Sequence, residues 1–488
     1  GPQLFSLVHP RRAGTCETCF LRKFRSRNRL QNPTTVKKHN QARSGGIALE
    51  KNKMVSRRFT TIAKVVSLLF ISFSCQQVIA EDAFELDDIL VTAGLQPLSM
   101  RDVASSVTVI TREQIEQKQV KFLSELLRDV PGFSVSQAGG VGAQTQIRVR
   151  GAEANHLLVL MDGVRANDPA TSGEFQYQLA LTSDIERIEI IRGPQSATWG
   201  SDAMAGVINI IRRKDRESRY MAGHIETGSF DSTTAGMNGG YAGENMAITA
   251  AVSYLETDGT NISRTGYEKD GAENLTGHLA LEFDLGSSFD LYLAGQAIEA
   301  SNDYDEIDYF LTGLPIDADR VTESNQAFLS GELRYDPLQK PWSGSFAVNW
   351  MNSDHDNISD GIWAGSTTAE TLELRFRGSV LMGQEQNHRI GFGLEREDID
   401  FTQRGDASYL DPNQDQSYDV NAYALEYVGQ PSDAFTWTAS TRQYEYSDYE
   451  DATTMQLAAT NKINPALRLR GSLGTGSNAP KVSERYGS

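Results

Sequence analysis

Cysteine is missing from residues 81–488: Cys16, Cys19 and Cys75 all fall in the first 80 positions. The long remainder can hold neither a disulfide nor a thiolate metal site, which suits an oxidising compartment entered without disulfides. The pair Cys16 and Cys19 forms a lone CxxC, and a zinc site would want a second pair. Positive charge is scarce in the same region. Fifteen of the 46 Lys and Arg, but only Glu17 and Glu50 of the 64 Asp and Glu, lie in the first 80 residues. Residues 81–488 therefore hold twice as many acids as bases. That balance argues against a nucleic-acid partner, which needs basic patches, and permits bound divalent cations. Long apolar runs are absent too. No stretch after residue 80 reaches the roughly 18 apolar residues of a membrane helix. This excludes a helical transporter but not a β-barrel, whose strands alternate lipid-facing and lumen-facing side chains. No nucleophile, base and orienting group share a loop motif, so an enzyme is disfavoured.

What is present begins with a leader. Met54 opens a segment with Arg57, Arg58 and Lys64, an apolar run over Val65–Phe73, and Val78-Ile79-Ala80 at a cleavage position. Residues 54–80 have the pattern of a secretory signal peptide, with Glu81 as the expected mature start. Residues 1–53 are basic, lack an apolar period and read as translated upstream sequence. Residues 81–98 are then an acidic tether containing Asp88, Ile89, Leu90, Val91, Thr92 and Ala93. Strand formers without a helical period suit a segment that adds as an edge strand to a partner's sheet, although an ordinary first strand would read the same way.

From 99 to 214 the turn chemistry is dense. Val107–Ile110 is a strand, followed by Thr111 with Gln114 at the capping-box position. Phe122–Val130 carries a helical apolar stripe and ends at Pro131-Gly132. Gln137–Gln144 (QAGGVGAQ) is a Gly-rich loop without the Lys of a phosphate loop. Gln146–Gly151 alternates like a half-buried strand, and His156–Val164 (HLLVLMDGV) is an apolar strand closed by an Asp-Gly turn. Asn167–Gln176 is a second irregular loop. Residues 184–213 combine a strand, a Gly193-Pro194 turn, a Gly-rich turn at Gly200 and Gly206, and a closing strand. From Tyr220 onward, segments of about ten residues with a period near two recur between polar turns. Roughly 12 to 14 such strands are expected, of the length of tilted membrane strands. A soluble propeller or sandwich is the competing architecture, but it would not explain the leader and the preceding domain.

These motifs carry a resemblance. The run IRGPQSATWGSDAMAGVINI at 191–210 is similar to the plug-closing motif of TonB-dependent outer-membrane receptors, with Trp199 in place of the usual Tyr and Ala205 in place of a Gly. SELLRDVPGF and LVLMDGVR are similar to further plug segments, and Asp88–Ala93 resembles the TonB box of the family's cobalamin receptors. The resemblance implies a mainly β protein: an α/β plug domain (99–214) inside a large antiparallel transmembrane β-barrel (215–488). It implies an outer-membrane location facing lipid, no enzymatic activity, and TonB of the inner-membrane energy-coupling complex as partner. Family barrels have about 22 strands, and GTGSNAPKVSERYGS resembles a mid-barrel motif, so the barrel is expected to be truncated at its C-terminal side.

The closest resemblance implies cobalamin as cargo, with a ferric siderophore or haem as the alternative within the family. A soluble periplasmic β-protein is the reading from another class. Family cargo loops correspond here to Gln137, Gln144, Asn167, Asp168 and Ser172. Plug arginines Arg148, Arg150, Arg187 and Arg192 would pair with acids on the barrel wall. Two acidic runs, one holding Asp303, Asp305 and Asp308 and the other Asp354 and Asp356, are expected on loops. Calcium wants six to eight oxygens, and the resemblance makes these five residues its candidate ligands. No organic cofactor is implied.

Overall fold

The structure, a computed structural model, describes residues 90–486 apart from 93, 213–218, 265, 309–310, 338–339, 384–385, 407–410 and 465–466. The upstream segment, the leader, Asp88, Ile89 and Ala93 lie outside the described residues.

The N-terminal domain is built on a five-stranded mixed sheet. Its strands are β3 (Ser106–Thr111), β6 (Leu157–Met161), β7 (Val164–Arg165), β8 (Ile185–Arg192) and β9 (Gly206–Arg212), in the order β3-β8-β9-β6-β7. A small pair, β4 (Phe133–Gln137) with β5 (Thr145–Val149), and the short pair β1 (Leu90–Val91) with β2 (Leu98–Ser99) complete the strands before 213. Helix α1 (Arg112–Lys118) starts where the capping pattern places it. Gln114 Oε1 accepts from the Thr111 N–H at 3.1 Å. Helix α2 (Leu123–Leu127) is shorter than its apolar stripe suggests, with Phe122 as its N-cap. The apolar run at 157–161 is buried on both faces because β6 lies between β9 and β7 and its side chains meet packing above and below. Asp162 and Gly163 both take positive φ (52° and 85°), as a two-residue hairpin turn requires. Helix α3 (Ser196–Trp199) fills the space between the two Gly-containing turns.

The second part is one antiparallel sheet of 13 strands, β10 to β22, each paired with its sequence neighbours. They run β10 (Tyr220–Thr227), β11 (Thr233–Ala242), β12 (Met246–Thr260), β13 (Asp270–Asp284), β14 (Phe289–Ile307) and β15 (Pro315–Tyr335). Then come β16 (Trp342–Ser359), β17 (Ile362–Met382), β18 (His388–Gly405), β19 (Gln414–Ser432), β20 (Phe435–Tyr446), β21 (Ala452–Asn464) and β22 (Leu467–Gly474).

The sheet curves around the first domain. Every one of its strands touches that domain or the chain leading into it, from Lys121 with Glu226 on β10 to Arg470 with the Met100 carbonyl on β22. Alternation fixes the two faces. Leu333, Phe346, Phe376, Leu394 and Tyr423 sit on adjacent strands at one level and point outward, all more than a third exposed. Between them Ala347 and Asn349 point inward and are buried. A continuous apolar belt outside and a polar lumen inside is the pattern of a membrane barrel wall.

Strands are much longer than the expected ten residues; β15 and β17 have 21 each. The extra residues carry the strands past the apolar belt, where the apolar alternation fades. Consequently the acidic runs do not lie on loops. Asp303 and Asp305 are within β14, Asp354 and Asp356 within β16, and only Asp308 is in a turn.

Packing of the first domain makes a direct prediction. Ile208 is fully buried in its central strand. Ile208→Ala should lower the local stability of 185–212 by about 2–5 kcal/mol. Faster amide hydrogen exchange in those peptides, with the wall strands unchanged, is the expected readout.

Candidate functional site

The wall strands alternate in direction, so their turns sort to two ends. The connections β12–β13, β14–β15, β16–β17 and β18–β19 lie at one end, here called outer. The opposite, inner end carries connections such as β15–β16 and β17–β18 and receives the N-terminal tether.

At the inner end the tether is held by two buried carboxylates. Thr92 donates both its N–H (2.9 Å) and its hydroxyl (2.6 Å) to Glu189 Oε2 on β8, and Asn209 donates to the same hydroxyl at 2.7 Å. The Leu95 N–H donates to both oxygens of Glu426 on β19 at 3.3 Å. Arg389 donates to the Gln96 and Pro97 carbonyls. Leu90 and Val91 pair only with Ser99 and Leu98. The segment is therefore docked mostly by side chains that accept its backbone, while its own strand pairing is two residues long.

Of the four plug arginines expected to reach the wall, Arg148, Arg187 and Arg192 bond within the plug instead. Arg187 pairs with Glu189, two residues along the same strand face, at 2.9 Å. Arg148 pairs with Glu153. Arg192 donates to the Pro131 carbonyl and the Thr108 hydroxyl, and Arg150 takes a left-handed backbone at the end of β5. The crossing contacts come from other residues. Arg165 lies 2.9 Å from Asp202 and 3.7 Å from Glu397 of the wall. Arg375 donates to the Gly163 carbonyl, Arg377 stacks over Trp199 at 4.4 Å, and Arg442 joins Glu395 to the Thr198 carbonyl. Sequence reasoning missed the wall's share of the cations. Single Arg and Glu residues alternating with apolar ones on β17 and β18 were the available signal.

Of the candidate cargo residues, Gln137, Gln144 and Ser172 are exposed. Gln137 caps its own turn at the Gly140 carbonyl, and Gly142 abuts Ala272 and Asn302, so loop 138–144 leans on the outer half of the wall. Asn167 and Asp168 are buried and face inward. Asn167 accepts from Val159 N and donates to the Leu157 and Gly173 carbonyls. Asp168 is wholly buried. Its Oδ2 is met by Ser353 Oγ at 2.6 Å, His355 Nε2 at 2.7 Å and Gln326 Nε2 at 3.0 Å, all from the wall. Its other oxygen accepts from Ala170 N. Asn167 shapes the loop and Asp168 pins it to β15 and β16.

The five proposed metal ligands are not gathered either. Asp354 pairs across β15 with Asn325, which pairs with Glu299. The β16 acids therefore stand two strand spacings from β14, about 10 Å. Asp308 caps its own turn at Leu311 and Thr312. Asp354 and Asp356 accept from Thr368 and Trp363. Of the five, only Asp305 enters a close group: Glu268, Asp305 and Asp317 bring one carboxylate oxygen each within 4.8 Å of one another. Burial and the facing Asp319, Asp270, Asp305 and Asp317 push the Glu268 carboxyl up to about 7, and burial raises Asp270 as well. Turn 261–269 and the bulge after Tyr304 create this group, and neither is readable from spacing.

An α/β domain lying inside a curved antiparallel wall, with a tether at one mouth, is the layout of a plugged β-barrel. Residues 99–207 match the TonB-dependent receptor plug domain family. Among solved structures, the fold is similar to the siderophore receptor PirA from Acinetobacter baumannii (TM-score 0.63, 19% identity, covering 77% of this chain and 61% of that one). It is also similar to the alcaligin outer-membrane receptor FauA from Bordetella pertussis (TM-score 0.63, 15% identity, 77% and 63%). A third is the ferric-catecholate import receptor Fiu from E. coli K12 (TM-score 0.61, 15% identity, 78% and 71%). The chain spans less than two thirds of the length of the first two.

The raised Glu268 carboxyl has a pH consequence. Between about pH 4.5 and 7 the folded turn keeps a proton that the unfolded turn has released, so outer-turn stability falls as pH rises through that window and levels off above it. Hydrogen exchange in 261–270, corrected for intrinsic rates, should be faster at pH 8 than at pH 5. Glu268→Gln should remove most of the difference.

Proposed function

We propose that this protein imports a scarce, bulky nutrient across the outer membrane, driven by TonB. The observation that carries the proposal is the pairing of a lumen-filling plug with a strand-forming tether at the inner mouth. The tether's docking uses a few hydrogen bonds that a partner sheet can replace. Edge-strand addition would exchange the Glu189 and Glu426 contacts for a ladder of backbone bonds, and traction on the tether would reach the plug directly.

A ferric siderophore is the cargo class favoured by the similar structures, of which PirA is named as a siderophore receptor and Fiu as a ferric-catecholate import receptor. Cobalamin is the second reading, supported by the Asp88–Ala93 segment and by the charge of the outer arms. Residues 299–323 hold eight acids against Arg320 alone, and residues 354–370 hold four acids and no Lys or Arg. A mouth of one sign concentrates cations and repels anions. It disfavours polyanionic ferric catecholates and favours a neutral or cationic cargo, which a ferric hydroxamate or cobalamin supplies. Calcium belongs to the same proposal, with Glu268, Asp305 and Asp317 as its ligands in place of the five residues first expected. Three carboxylates supply up to six oxygens, the lower bound for that ion. A bound ion would order the outer arms before cargo arrives.

The test is transport into cells by the full-length protein, with cyanocobalamin and a ferric hydroxamate as probes. One of the two should be accumulated, and Val91→Pro, which removes a backbone donor from the tether, should abolish accumulation without weakening binding at the outer face. Accumulation unaffected by Val91→Pro would overturn the TonB-driven reading. Calcium titration of Glu268→Gln should show binding weakened about tenfold or more, given the loss of one of three charged ligands.

A further inference from the structure

The plug is not held alike on all sides. Toward β14–β16 it shares one apolar core with the wall: Ile298, Ala300, Phe328 and Met351 belong to the same buried cluster as Leu123, Ile190 and Ile208. Toward β17–β20 the contact is mostly ionic, with Ala170 against Ala369 and Phe401 as its apolar part. A small cavity there is lined by Arg165, Asp202, Glu373, Glu395, Glu397 and Arg442. Separating an apolar interface exposes it to water at the full hydrophobic cost. Charged groups regain their hydration when they part, so an ionic interface costs far less to open as a whole. Of these two sides, the one facing β17–β20 is therefore the cheaper to open.

That side is roofed by residues 477–485. After β22 the chain leaves the sheet and crosses the plug. Ser477 N donates to Ser196 Oγ at 3.3 Å and Ala479 N to Ser201 Oγ at 3.1 Å. The Lys481 ammonium pairs with Asp202, the carboxylate that also holds Arg165. Val482, at the start of α4 (Val482–Tyr486), is buried with Ala170, Ala369 and Phe401. Arg485 lies 2.5 Å from Asp448 in an outer turn and stacks on Tyr418 and Tyr449. One strap thus touches the plug, three wall strands and an outer turn, and Ala479–Lys481 close the cavity from above.

We propose that the plug parts from the wall along β17–β20 and that residues 477–485 are the outer latch of this opening, with Lys481 as its positioning residue. The proposal rests on the import reading for its purpose, but its test does not need a cargo. Residues 81–488 contain no cysteine, so single thiols report cleanly. Ala422, buried on β19, lines the ionic cavity, and Ala300, buried on β14, lies in the apolar interface. In outer membranes carrying the full-length protein, labelling of Ala422→Cys and Ala300→Cys by a membrane-impermeant maleimide is compared. Lys481→Met should accelerate labelling at 422 by about tenfold, the scale of losing one partly buried ion pair, and leave 300 unchanged. Lys481→Arg, which keeps the charge, should leave both near the parent rates. No acceleration at 422, or equal acceleration at both positions, overturns the latch. In energised cells the 422 rate should rise and a protonophore should reverse it; a response at 300 instead overturns the seam. Failure of the import reading is separately visible, as an energised arm flat at both positions beside an intact Lys481 effect.

Discussion

A strand in a bilayer has nowhere to place its backbone hydrogen bonds except on the next strand. The rest of this protein depends on that constraint. It forces 13 consecutive strands into nearest-neighbour order, and it sets the two-residue period that sends Phe346 and Phe376 to lipid and Asn349 to the lumen. A wall so made curves around a space, with β10 and β22 as its edges among the described residues. The plug fills it, which is why an α/β domain of ordinary soluble construction sits inside a membrane structure. Its contacts with the wall are a mixture of apolar packing and charge, and this mixture distinguishes a filler that stays from one that can shift.

The polar side of that mixture has its own logic. Asp168 is the extreme case: wholly buried, it meets Ser353, His355 and Gln326 from the wall as well as Ala170 of its own loop. An unpaired carboxylate at that depth would be costly, so the knot fixes where the loop of 167–176 stands relative to β15 and β16. The charges around Arg165 are arranged differently. Arg165 and Lys481 share Asp202, and Arg377 and Arg442 share Glu395. Carboxylates with two cations each can exchange partners without ever being left alone, and such a set tolerates motion that the Asp168 knot does not.

The plug was legible in the chain because its signals are local. The capping pair at Thr111 and Gln114, the Asp162-Gly163 turn and the double strand around Gly193 each need only a few neighbouring residues. The number of wall strands was legible for the same reason, since period-two segments and polar turns repeat. The strand ends were not. Past the apolar belt, residues such as Asn302 to Glu306 carry polar groups on both faces of β14 and give no alternation to trace. Long-range partners were invisible as well. Asp168 looks like a polar loop residue beside a proline, and its wall partners lie at least 158 positions away. The same holds for the tether's Glu426, for the strap's Asp202, and for the grouping of Glu268 with Asp305 and Asp317.

The order of the plug sheet has a mechanical consequence. Strand β3, the first after the tether, lies at the sheet's edge and pairs only with β8, while β9 and β6 lie deeper. A force applied at residue 90 is borne first by the two-residue pairing with Leu98 and Ser99, next by the carboxylates at Thr92 and Leu95, and only then by the six paired residues of β3. The links are loaded in series and grow stronger inward. A modest pull therefore reaches β8 and β9 through the Thr92 contacts with Glu189 and Asn209, and once those bonds part a larger one strips the edge strand, so the extent of yielding is graded by tension and the remaining sheet is a template on which β3 can re-form.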